Sequence, residues 1–110
     1  MATKSSLSKI TRVALKTLGE MIKIARTERG LSQSKLAERL NISRFTVMAL
    51  EKGNATVAIG IVLEAAYILG IPLLAEDELT LMKLKHSVVA FASILPKRVR
   101  LKKELIDNNF

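Results

Sequence analysis

Between residues 33 and 54 the chain gathers side chains suited to one kind of chemistry, directional hydrogen bonding to an anionic surface. Arg44 carries a planar fork of donors that matches O6 and N7 of guanine. Gln33 offers an amide that can bond a phosphate and brace a neighbouring side chain. Lys35 and Lys52 supply ammonium groups, and helix-start N–H groups near Ser34 and Ser43 suit phosphate oxygens. Thr46 serves either a phosphate or a local cap, and Phe45 either a thymine methyl or an inward apolar contact. Met48 can touch bases at the edge of such a footprint, while Lys52 and Asn54 are placed to clamp a backbone.

Catalytic chemistry finds no comparable set. His86 is the single histidine and has no acid beside it, and no cysteine is present to form a disulfide, a thiolate site or a nucleophile. No glycine-rich phosphate loop occurs. Glu76, Asp77 and Glu78 most simply place negative charge at a helix N-terminus. We therefore expect no enzyme, no cofactor and no metal site.

The charge supports a polyanionic partner. The 110 residues carry a formal net charge of +8, distributed unevenly. Residues 1–52 hold eleven Lys/Arg against four acids, residues 53–82 hold no Lys/Arg and four acids, and residues 83–103 hold seven Lys/Arg and no acid. A membrane-surface helix would concentrate its charge in one amphipathic stretch, whereas two separate basic segments fit two phosphate-facing parts of one scaffold. A merely solvated basic face is the alternative, and Lys23, Arg26 and Arg29 are read as such a face. No apolar run reaches the length of a bilayer span, and no signal peptide is evident, so a cytoplasmic protein with no membrane partner is expected.

The elements that must position these groups follow from spacing. Leu7, Ile10, Ala14, Leu18, Met21, Ile22 and Ala25 recur with helical period, predicting one helix over about residues 7–29, or two broken near Gly19, with Gly30 ending it. Ser32 can cap a second helix whose inward face is Leu36, Ala37 and Leu40. Asn41 is the turn residue, since Asn tolerates positive φ. Ser43 caps a third helix with Val47 and Leu50 inward and Gly53 at its end. A fourth runs over about 58–69 with Ile61, Val62, Ala65 and Leu69, closed by Gly70 and Pro72. Leu81, Leu84, Val88, Phe91 and Leu95 then repeat by three and four, predicting a helix over about 78–94 stopped by Pro96. The β-branched Val88 and Val89 keep a strand open there. The a/d face is a candidate dimer contact. Residues 97–103 form a basic tail that could bind flanking DNA, grip an acidic partner or stay solvated.

Two helices crossing steeply through a short turn need a small residue at closest approach, and Ala37 supplies it. Leu36, Leu40, Ile42, Val47 and Leu50 provide the apolar contacts, leaving Arg44, Phe45, Met48 and Lys52 over on the second helix. A packed αα-corner with no ligand would show much of this pattern, but not the outward arginine or the basic excess.

These residues resemble a known family. Gly30 to Gln33, Leu36 to Glu38, Ile42 with Ser43, Thr46 with Val47, and Leu50 to Gly53 are similar to Cro/CI (Xre-type) helix-turn-helix domains over about residues 18–76. The resemblance implies an all-α, five-helix lambda-repressor-like domain that binds double-stranded palindromic operator DNA as a homodimer and represses transcription. It departs from the family at Asn41, where glycine is usual, and at Phe45, which is bulkier than the usual polar residue. The segment ending in Leu95, Pro96, Lys97, Arg98, Val99 and Arg100 resembles HipB-type regulators, which implies an antitoxin partnered with a HipA-like serine/threonine kinase toxin. The expected organisation is an N-terminal helical extension (1–17), the helix-turn-helix domain (18–77) and a C-terminal dimerisation or partner-binding extension (78–110). A stand-alone regulator without a toxin partner, and an interaction protein that no longer binds DNA, are the competing expectations.

Overall fold

The computed structural model describes residues 6–96; residues 1–5 and 97–110, the basic tail included, lie outside the described residues. All five elements found are α-helices: α1 (Lys9–Glu28), α2 (Gln33–Leu40), α3 (Arg44–Glu51), α4 (Ile59–Ile68) and α5 (Glu78–Ser93). Four lie in a compact unit spanning Met1–Leu73, and the fifth is the helix of a second unit, Leu74–Phe110.

Local chemistry starts and stops the helices of the first unit. Ser8, Ser32 and Ser43 each turn a side-chain oxygen onto an otherwise orphaned N–H, those of Thr11, Lys35 and Thr46 at 3.0–3.2 Å. Asn41 ends α2 in the left-handed region, with φ 56° and ψ 46°. A β-branched residue there would be strained, whereas Asn adopts this conformation at small cost, so the departure from glycine leaves the turn intact.

Gly19 does not break α1, which is one helix of twenty residues. Its role is close approach: a Cβ at Gly19 would stand 2.5 Å from the carbonyl oxygen of Glu51 and 2.8 Å from that of Leu50. Gly53, at φ 79°, brings the loop after α3 equally close, since a Cβ there would meet the Cα of Lys16 at 2.8 Å. The two glycines thus seat the end of α3 directly on the α1 backbone.

The core of this unit gathers Ile22, Leu36, Ala37, Val47, Leu50, Ala65 and Leu69, with Leu18, Ala25, Leu40, Ile42 and Val62 partly buried around it. The inward faces read from spacing in α2, α3 and α4 therefore meet in one cluster. α1 joins the core only through Leu18, Ile22 and Ala25: Ile10, Ala14 and Met21 are exposed, although they share the same helical period. Periodicity reports which residues share a face, not how much of that face is covered.

In the second unit the strand alternative for residues 80–95 gives way to helix. Asp77 caps α5 by accepting the Thr80 N–H at 2.7 Å, and Glu78 adds negative charge to the first turn. That N-terminal signal outweighs the β preference of Val88 and Val89. α5 has no buried residue. Leu81, Leu84, Val88 and Phe91 are exposed along one side, and Leu95, just past the helix end, is half-buried. At 3.6 residues per turn, Leu79, Met82 and Val89 fall on nearly the opposite side and are exposed too.

Candidate nucleic-acid interface

The turn between α2 and α3 fixes where the functional groups point. α3 uses one face for the core, with Val47, Leu50 and Glu51 buried, and the residues between them turn away. Arg44 and Phe45 occupy the first turn of α3 and are both exposed. Phe45 is 76 % exposed, which resolves its two readings in favour of the outward one. The Arg44 guanidinium has no side-chain partner among the described residues, so its donors are available. Met48, one turn on, is half-buried, and Lys52 is exposed at the C-cap.

Hydroxyl groups at the helix starts are committed locally. Ser43 Oγ accepts the Thr46 N–H at 3.2 Å and lies 3.1 Å from Thr46 Oγ1, so the two side chains cap α3 together. Asn54 Oδ1 accepts from both the N–H and the hydroxyl of Thr56, at 2.8 and 2.6 Å, which turns its oxygen into the loop. Ser34 and Lys35 are exposed on α2, and Lys35 pairs with Glu38 at 3.5 Å. That exposed pair contributes little to stability and leaves the lysine able to swing away.

Behind α3 lies a network that sequence reasoning missed. Glu51 is a buried acid, and its carboxylate takes three donors: Arg26 Nε at 2.5 Å on Oε2, Arg26 NH2 at 3.1 Å on Oε1 and Gln33 Nε2 at 3.1 Å on Oε1. Arg26 also donates to the Leu31 carbonyl at 2.8 Å. A two-pronged guanidinium–carboxylate pair with a further amide donor satisfies charges that burial would otherwise penalise heavily. The network ties α1, the start of α2 and the end of α3 into one frame. Arg26 is thus not part of a solvated face, as its neighbours suggested; only Lys23 and Arg29 are exposed. The contact joins residues 25 apart in sequence, beyond any local pattern. Gln33 thus donates to the α3 side chain of Glu51, and its amide oxygen has no partner among the described residues. The one available signal was Glu51 itself, an acid at a position where helical period faces the core.

An open groove of about 540 Å³ runs beside this frame and joins Gln33, Met48 and Lys52 to residues of α1. The structure therefore brings Gln33, Arg44, Phe45, Met48 and Lys52 to the α3 side of one compact unit. The dimer candidates Leu81, Leu84, Val88, Phe91 and Leu95 belong to the second unit.

Comparison with known proteins fits this geometry. Residues 22–74 match the helix-turn-helix family, a span running from the middle of α1 past the end of α4. No curated protein and no solved structure matches the chain. No described helix is long and apolar enough to cross a membrane. The family match supports a helix-turn-helix of the Cro/CI (Xre) type within residues 22–74, and with it a DNA-binding transcription regulator.

Proposed function

We propose that this chain is a sequence-specific repressor that inserts the first turn of α3 into the major groove. The observation that carries the reading is the pairing of an unengaged Arg44 and an exposed Phe45 on a helix whose opposite face is locked by the core and by the Arg26–Glu51–Gln33 frame. Arg44 reads a guanine and Phe45 meets a thymine methyl. Gln33, Ser34, Lys35, Lys52 and the backbone N–H groups at Ser43 hold phosphates that set register; Thr46 and Asn54 shape the helix start and the following loop; Met48 borders the footprint.

Two copies present their α3 helices to half-sites about one DNA turn apart, joined through the Leu81, Leu84, Val88, Phe91 and Leu95 face of α5. The finer reading is an antitoxin of a HipA-like kinase that represses its own operon in the cytoplasm. It is supported by the resemblance of the segment around Leu95 and Pro96, and by the second apolar side of α5, which a two-helix contact leaves uncovered. Co-purification with a HipA-like kinase encoded beside the gene tests that partner.

The DNA reading is tested by selecting sites from a pool of random duplexes and measuring affinity against salt. A palindromic site should emerge, and affinity for it should fall about 10³-fold or more between 50 and 200 mM salt, as roughly six to ten phosphate contacts release their counterions. Near-constant binding across that range contradicts a phosphate-gripping interface.

A further inference from the structure

We infer that the groove between α1 and the end of α3 is a second backbone-binding site, taking DNA phosphodiesters beside the bases that α3 reads. Lys16 and Lys23 lie two turns apart on one face of α1, and both line the groove opposite Lys52. None of the three ammonium groups pairs with a carboxylate among the described residues. Glu51 also borders the groove, but its charge is already taken by Arg26. One unmatched acid remains, Glu20, one turn from each α1 lysine. Three cations against one acid give the groove an anion preference.

The groove's position selects which anion. Gly19 and Gly53 press the end of α3 onto α1 so closely that Lys16 and Lys52 sit on adjoining backbones. The groove is also continuous with Gln33 and Met48, at the edge of the α3 surface. A duplex seated on α3 therefore carries a strand of phosphates past this cluster. α1 becomes part of the interface, which adds nonspecific grip without adding sequence readout.

The inference rests on α3 being the DNA-reading helix, and the test separates the two. Binding of the full chain to a selected site and to a random duplex is followed across salt concentrations, for the wild type, for Lys16→Gln with Lys23→Gln, and for Glu20→Gln. All three positions are exposed, and melting curves confirm that each variant folds. The lysine double variant should lower the salt slope by about 1 per lysine on each bound chain, with the selected-to-random ratio unchanged. Glu20→Gln should tighten binding to both duplexes alike. A double variant with the wild-type slope and affinity overturns the groove as a phosphate site while leaving the role of α3 standing. A wild type that prefers no selected site sinks the base-reading role instead, and the slope on random duplex still reports on the groove.

Discussion

α3 and α5 both show apolar and basic side chains to solvent, but they are built in different ways. α3 is eight residues long, buries Val47, Leu50 and Glu51, and leaves Arg44 and Phe45 outward at its start. α5 is twice as long and buries nothing. Its apolar residues lie on two opposite sides, with Phe91 at 63 % exposure on one and Leu79 at 67 % on the other. A helix anchored on one face can afford a few projecting groups, and those groups are the ones to suspect of recognition. A helix apolar on both sides is one that a partner covers, because such a surface is costly in water and a short helix alone is marginal. On the proposed function, the first unit carries the reading surface and the second the association surface.

The sharpest way to break this contrast is to unlock the frame behind α3. Glu51→Ala strands the part-buried Arg26 guanidinium and should cost up to about 3–5 kcal/mol, a large part of the stability of so small a domain, seen as a collapse of the melting temperature. Replacing both partners together, Arg26→Met with Glu51→Leu, should restore much of that stability while leaving Gln33 unbraced. DNA affinity should then stay low in a protein that melts normally. Recovery of both would mean that the frame stabilises the fold without positioning the interface.

Truncation after Asp77 tests the other half. The first unit should remain folded, sediment as a monomer and lose about 10²-fold or more in operator affinity as the second half-site contact disappears. A truncated chain that stays dimeric with unchanged affinity would place the two-fold axis elsewhere.

The smallest effect lies at the start of α5. The hydrogen bonds from Thr80, the backbone one foremost, hold the Asp77 carboxyl below its ordinary value of 3.8. A depressed carboxylate stabilises the helix above its unfolded value and loses that contribution as pH falls through the lower folded one. The helical signal of α5 should therefore weaken on acidification below about pH 3.8. Asp77→Asn, an equally good cap that does not titrate, should abolish that dependence in a circular-dichroism titration.

Much of the first unit was legible in the sequence because its determinants are local. Ser32 and Ser43 announce helix starts, Asn41 the left-handed turn, and Leu36, Ala37, Val47 and Leu50 the crossing, each within a few residues of what it organises. What escaped depends on distant partners. Arg26 looks like one more surface cation until Glu51 is seen beside it, and Gly19 looks like a break until the α3 backbone is seen against it. Phe45 could not be oriented from spacing, since an apolar residue at a helix start suits either face. In α5 the β-branched pair and the a/d repeat pulled against each other, and the cap at Asp77 decided the outcome.

The central claim is that the start of α3 reads base edges, and Arg44→Ala measured on the selected site and on random duplex at the same salt tests it most directly. The variant should lose about 1–3 kcal/mol on the selected site, relax the preference at one base pair per half-site, and change little on random DNA. An equal loss on both duplexes would contradict the claim and make Arg44 a phosphate clamp.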